Sequence, residues 1–461
     1  MADFDEIRAE KLAQLEDHLR SRRFAAARDT VITLEPADIA RLCDDMREEE
    51  LPLLFRLLPK EIAAEVFVEL ESDVQEMLIV GFSNTELREV LDELYLDDAV
   101  DLVEEMPANV VKRILRHSDP EMRKSINEIL KYPEDSAGAL MNTEFLDLKR
   151  DMTVSDAFRR IRRDGKDIET INVCYVTDAG RHLVGLVTIR ALLLAESEET
   201  IDSIMDTAVV SVNTLTDKED VAQDFSKYNF IALPVVDAEE RLVGIVTFDD
   251  AMDVMEEEAT EDIEKMAAIL PSEHAYLHSG TFEIWRNRIP WLLLLMISAT
   301  LTGWVISSFE YSLAALPCLT AFIPMLMDTA GNSGSQACVT IIRGIALDEI
   351  EFRDLFRVIW KEIRVAVLCG ICLSVACFGK IMLIDHLLMG NGDVTWVVAL
   401  AVSASLAITV LLAKLVGSSL PLLAKKIGLD PAVMASPLIT TIVDFLSLLV
   451  YFAVASRLLG F

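Results

Sequence analysis

Near the end of the chain runs "SPLITTIVDFLSLLVYF", residues 436–452, an apolar stretch with one carboxylate, Asp444, in its middle. As a helix across a bilayer it places Asp444 on the order of 15 Å from its start, near the midplane of a hydrocarbon core about 30 Å thick. A charge at that depth costs roughly 2.5–3.5 kcal/mol, so ionisable groups that persist there usually mark an ion or proton path. A carboxylate suits a cation. Pro437, Thr440, Thr441, Ser447 and Tyr451 recur with Asp444 at spacings of three and four, one stripe of a helix. A second stripe, Asp328, Asn332, Ser335, Gln336 and Thr340, surrounds the small residues of "GNSG". Hydroxyls alone would read as interhelical packing. Asp444 turns the reading of itself, Asn332, Thr440 and Thr441 toward a lined pore. Lys380 and Lys414 are the basic residues that come nearest to a span's centre, and both lie nearer the ends.

Acidic clusters form the second chemical signal. "DDAMDVMEEEATEDIEK", residues 249–265, sets nine acids against one lysine. Met252, Met255, Ala259, Ile263, Met266 and Leu270 make an apolar seam, while Asp250, Asp253, Glu257, Glu261 and Glu264 line another face. Like charges three or four residues apart each destabilise a helix by roughly 0.2–0.5 kcal/mol. Divalent cations would relieve that repulsion. Asp97 and Asp101 in "YLDDAVDLVEE" lie one turn apart, a pair that could hold a cation or simply keep a surface solvated. His274 and His278 share that spacing, but with no cysteine nearby, packing at headgroup level is the plainer role. Cys369 and Cys372 form a CxxC within an apolar segment and read as small packing residues.

Several elements must position these groups. Five hydrophobic spans are expected, over 290–309, 315–341, 365–384, 395–421 and 434–457. Arg286 and Arg288, then Arg343 to Arg364, then Lys425 and Lys426 flank alternate ends, while "EYSLAAL" and "DHLLMGNGDV" carry no basic residue. That alternation puts the N-terminal 280 residues in the cytoplasm and the C-terminus outside. The net charge of −34 belongs to the cytoplasmic part: residues 281–461 hold 12 Lys/Arg and 12 Asp/Glu, leaving 64 acids against 30 bases in 1–280. Such a balance repels nucleic acid and favours cations. The N-terminal "MADFDEIRAEKLAQLEDHLRSRR" lacks the apolar core of a signal peptide.

Between residues 30 and 130, "LEPADIARL", "LLPKEIAAEV", "GFSNTELREV" and "EMPANVVKRI" repeat at about 24 residues, each with a turn or cap signal before an apolar helix. Stacked short helices in a superhelix follow. Residues 135–250 twice give helix, strand, acidic turn, strand and helix, and resemble a pair of CBS domains. In that family a Ser/Thr with an Asp three residues on can hold a nucleotide ribose. Thr247 and Asp250 keep this pattern, whereas Thr188 is followed by Ala191, so at most one adenosine site is expected, with ATP as a regulatory ligand. No G-x-x-x-x-G-K-[ST] occurs, and Asp444 has no clear catalytic Asp or His partner, so no enzyme is expected.

"YPEDSAGALM" (132–141), "PMLMDTAGNSGSQ" (324–336) and "DPAVMASPLITTIVD" (430–444), in this order, resemble the MgtE family of magnesium channels. The resemblance spans nearly the whole chain. It implies a multi-domain protein: an all-α superhelical N domain over 1–134, α/β CBS units over 135–200 and 201–250, a plug or connecting helix over 251–280, and a five-helix membrane domain over 281–461. It implies a homodimer in the cell membrane, with a pore on the two-fold axis faced by one Asp444 from each protomer. Hydrated Mg²⁺ would pass there, since this ion dehydrates reluctantly. Cytosolic Mg²⁺ would hold the gate shut through acids between the N domain, CBS pair and plug helix. Asp217, Glu219, Asp250, Glu258, Glu261 and Asp262 match those positions, joined by Asp97, Asp101 and Asp253 from the clusters above. Asn229 stands where the family pattern leads one to expect an acid. Alternatives are a carrier of another divalent cation such as Mn²⁺ or Co²⁺, and a membrane-anchored nucleotide sensor without conduction.

Overall fold

The computed structural model describes residues 2–44, 46–47, 49–166, 168–272, 276 and 279–460; the His274–His278 pair lies outside the described residues. Two compact units are present, Met1–Glu256 and Glu257–Phe461.

The first unit opens with the helix Ala2–Arg20 and continues in short helices whose starts coincide with the sequence repeat. Pro59 precedes Lys60–Val68, Ser83 caps Asn84–Leu91 in a capping box with Glu86, and Pro107 precedes Ala108–His117. Each helix buries one apolar face in a common core that includes Leu54, Phe67, Leu78, Leu87 and Ile114. None of these short helices exceeds about three turns, so none is stable alone and stacking supplies the burial.

Two three-stranded sheets follow. Asp147–Lys149 pairs in parallel with Val173–Thr177, which pairs antiparallel with Leu183–Thr188. Val212–Asn213, Ala232–Val236 and Leu242–Thr247 repeat the same order. Backbone bonds from Leu183 N to Glu240 O and from Leu242 N to Arg181 O tie the repeats together. The helix after the first repeat is Ile189–Leu194, six residues long, while the helix after the second runs on for 19 residues as Phe248–Met266. Asn229 ends the helix Lys218–Tyr228 in the left-handed conformation, φ 55°. Asparagine tolerates that conformation better than most side chains, a structural reason for its presence there.

The second unit contains five long helices: Thr281–Ser308, Ile323–Ala346, Leu355–Lys380, Trp396–Lys426 and Ser436–Leu459, hereafter spans one to five. Span one begins nine residues before its expected start, and span three continues as a π-helical segment, Ile381–Leu388. Among the described residues, spans one, three, four and five are long and apolar enough to cross a membrane. Span two has the length, 24 residues, but its polar stripe lowers its hydropathy. A short 3₁₀ turn, Pro317–Phe322, leads into it.

Spans two and four meet backbone to backbone. A Cβ on Gly417 would lie 2.3 Å from the carbonyl oxygen of Gly334, and one on Gly334 would lie 2.9 Å from Ile439 Cγ2. Only glycine fits this crossing. Gly417→Ala is expected to destabilise the membrane unit by about 2–3 kcal/mol through overpacking, seen as a lower thermal midpoint in detergent; an unchanged midpoint would show that the helices can slide apart freely.

Candidate ion-binding sites

Spans two and five run antiparallel in a register fixed by three contacts. Tyr451 donates its hydroxyl to Leu319 O at 2.9 Å, just before span two. Thr440 packs on Gly331, where a Cβ would meet Thr440 Cγ2 at 3.1 Å. Cys338 donates its thiol to Met434 O at 3.3 Å. Along this seam a cavity of about 430 Å³ is lined by Asp444 and Thr440 of span five and by Asp328, Gly331 and Asn332 of span two. Asp444 Oδ1 is buried without a hydrogen-bond partner.

The expected stripe of span five divides. Thr440 and Asp444 reach the cavity, whereas Thr441 donates to Pro437 O at 3.0 Å and Ser447 to Val443 O at 2.6 Å, both within their own helix. On span two, Asp328, Asn332, Gln336 and Thr340 are exposed. Hydrocarbon covers such a face only at a cost of about 2.5–3.5 kcal/mol for the aspartate alone, so water or protein is its natural neighbour. Lys414 and Lys380 are both paired: Lys414 with Glu362 at 3.7 Å and Lys380 with Asp385 at 2.8 Å.

A second carboxylate group assembles in the first unit. Asp97 comes from the helix Leu96–Glu105, Glu169 from the segment before the strand Val173–Thr177, and Asp250 from the first turn of Phe248–Met266. One oxygen from each lies within 4.8 Å of the others. Asn142, fully buried, bridges two of them, its Nδ2 donating to Asp97 Oδ1 at 3.2 Å and Glu169 Oε2 at 2.6 Å. Its own backbone is fixed by paired bonds with Ile245. Asp250 Oδ2 accepts from both the amide and the hydroxyl of Thr247. A cavity of about 360 Å³ adjoins the group, with Tyr95, Phe248, Asp98 and Asp249 also on its wall.

Burial, then the charge of Asp250, holds the Asp97 carboxyl well above the usual carboxylate range. The same causes push Asp98 and Glu169 up to about 7, and burial raises Asp250 itself. These groups therefore resist sharing negative charge unless a cation joins them. All-oxygen donors suit a hard ion, and a spread of up to 4.8 Å leaves room for one that keeps some water.

The remaining acids lie elsewhere. Asp101, one turn beyond Asp97, is exposed and outside the trio. Asp217 caps the helix Lys218–Tyr228, accepting from Glu219 N at 2.9 Å, and Glu219 Oε1 accepts from Gln223 at 3.1 Å. Neither these nor Asp253 and Glu258 belong to the trio. In the second unit, Lys265 lies 2.6 Å from Glu261 and 2.7 Å from Asp430, in the turn before span five. Burial and Asp430 together raise the Asp262 carboxyl.

Comparison with known proteins gives these two sites a common frame. A family model described as the MgtE divalent cation transporter matches residues 323–454, the MgtE intracellular N domain matches 34–135, and CBS domains match 137–198 and 201–257. The magnesium transporter MgtE of Thermus thermophilus is 37% identical over 98% of this chain and 99% of its own. The chain belongs to the MgtE family. The MgtE of Bacillus subtilis is 32% identical over 95% of both chains. A crystal structure of the cytosolic domain of the Mg²⁺ channel MgtE in complex with ATP, 37% identical, covers 53% of this chain and 99% of that one with a TM-score of 0.51. None of the matching family models is an enzyme's, and as an MgtE member with several membrane-spanning helices the chain is a multi-pass membrane protein.

Three residues at the MgtE sites escape sequence reasoning: Glu169, Asn142 and Asp328 as a partner of Asp444. Asp328 carried a signal, its place in the polar stripe. Glu169 carried only its acidity, in a loop with no periodicity to orient it. Asn142 is a positioning residue. Asn142→Leu is expected to cost about 2 kcal/mol, as the buried Asp97 and half-buried Glu169 carboxylates lose a donor, lowering the Mg²⁺-free thermal midpoint. Saturating Mg²⁺ should recover most of that loss by screening the same carboxylates; a midpoint equally low with and without Mg²⁺ would mean Asn142 acts only through packing.

Proposed function

We propose that this MgtE protein is a Mg²⁺-selective channel, opened when cytosolic Mg²⁺ is scarce and closed when the ion is abundant. The observation that carries this reading is the cavity where the unpartnered Asp444 oxygen meets the exposed polar stripe of span two. A second copy placed on a two-fold axis would cover that stripe and enclose a water-filled lumen, with Asp444 contributed from both sides. The cytoplasm would hold the N-terminal unit, and the C-terminus would lie outside.

Gating would use the acids. Asp97, Glu169 and Asp250 repel one another until a divalent ion joins them, and Asp250 belongs to the helix Phe248–Met266. The other end of that helix is tied near span five by Lys265 and Asp430. Ion binding at Asp250 would act on the channel through this continuous helix. Asp101, Asp217, Glu219, Asp253, Glu258, Glu261 and Asp262 would supply further, weaker ion contacts. The ATP complex of the related cytosolic domain supports a nucleotide as regulator. Here Thr247 and Asp250 would hold its ribose, so the nucleotide and the cation would share a carboxylate.

Mg²⁺ uptake by proteoliposomes, with Mg²⁺ varied on the side of the N-terminal unit, tests the proposal. Uptake should fall as that Mg²⁺ rises through the millimolar range. Uptake no faster than in empty vesicles would sink conduction, and uptake indifferent to Mg²⁺ on that side would sink gating.

A further inference from the structure

We infer that Asp328 is a second carboxylate of the permeation site, level with Asp444, and sets how strongly the pathway prefers a divalent ion. The inference rests on the pore reading above and extends it to a residue with a separable role. Its basis is the register of spans two and five. Tyr451 meets Leu319, Thr440 meets Gly331 and Met434 meets Cys338, so moving outward by one turn from the Thr440–Gly331 contact reaches Asp444 on one helix and Asp328 on the other. Both side chains line the same cavity.

The surroundings favour a cation. Among the described residues no lysine or arginine lines this cavity, and Lys414 and Lys380 are held by Glu362 and Asp385. Asn332, one turn along span two from Asp328, adds an amide oxygen on the same wall. Asp328 is exposed on the protomer although span two sits among apolar helices. One carboxylate per protomer would put two negative charges at this level of a two-fold pore, matching one divalent ion. Two per protomer would put four there, which favours a doubly charged ion over a single charge far more steeply, because attraction scales with the product of the charges.

Block of Na⁺ current by Mg²⁺ in the full-length protein, recorded in planar bilayers, reads this directly. Asp328→Asn should weaken the block by about tenfold or more and raise the Na⁺ share of the current, while Asp328→Glu restores both. Asp444→Asn serves as the reference. If Asp444→Asn abolishes selective current and Asp328→Asn leaves block and selectivity native, Asp328 is no part of the site and the inference falls alone. If neither substitution matters, the pore reading falls with it. Asp328→Cys gives a measurement independent of conduction. A cationic, water-soluble thiol reagent should modify it beyond the rate in the native chain, and Mg²⁺ should slow the reaction. No added modification, or a rate untouched by Mg²⁺, overturns the inference.

Discussion

Asp444→Asn is expected to reduce Mg²⁺ uptake by at least about 100-fold, equivalent to roughly 2.7 kcal/mol at the ion's binding step. The amide keeps the size of the carboxylate and removes the charge. Asp444 Oδ1 has no protein donor, so no hydrogen bond within the chain compensates for the ion it would face. Because the group is only half-buried and its buried oxygen makes no hydrogen bond to another helix, the variant should fold as the native chain does. Size-exclusion elution and thermal midpoint in detergent check that point, and fluorescence-detected Mg²⁺ uptake measures the loss. Uptake within a few-fold of native, in a properly assembled variant, would remove Asp444 from the pathway.

The second large effect concerns the acidic trio. In Mg²⁺-free buffer the folded N-terminal unit keeps protons on Asp98 and Glu169 up to about pH 7, whereas the unfolded chain releases them near ordinary carboxylate values. The folded state thus binds more protons between roughly pH 4 and 7, and its stability falls as pH rises through that window. Above it the carboxylates are ionised and repel. Mg²⁺ should reverse the trend by favouring the ionised form, and its apparent affinity should drop about tenfold per pH unit below 7 for each proton displaced. At 100 times its dissociation constant the ion would stabilise the fold by about 2.7 kcal/mol. Asp97→Asn combined with Asp250→Asn should abolish the Mg²⁺-dependent rise in thermal midpoint, while Asp98 and Glu169, raised first by burial, keep part of the pH dependence. A double variant stabilised by Mg²⁺ as fully as the native chain would place the responsive site elsewhere.

Periodicity carries the parts of this molecule that local sequence can encode. The solenoid repeat, the two strand–turn–strand units and the long apolar spans each need only a pattern repeated along the chain, because burial rewards the same face every two or 3.6 residues. Asp444 and the stripe of span two were legible on the same ground. The pattern resolves a face only to within a residue or so. Thr440 and Thr441 are neighbours on that face, and the rotation of span five decides that Thr440 lines the cavity while Thr441 bonds back to Pro437.

That rotation depends on how closely spans two, four and five approach, which Gly334 and Gly417 set through backbone contact. Glu169 joins Asp97 and Asp250 only because the chain brings together residues far apart in sequence, an arrangement held by the buried Asn142 amide. Composition and spacing therefore determined that the chain crosses a membrane, carries strongly acidic surfaces and keeps a carboxylate in the middle of an apolar span. Which oxygens converge, at what level and with which partners, was decided by tertiary packing. Helix rotation and the closure of long loops are set by contacts that no local pattern records.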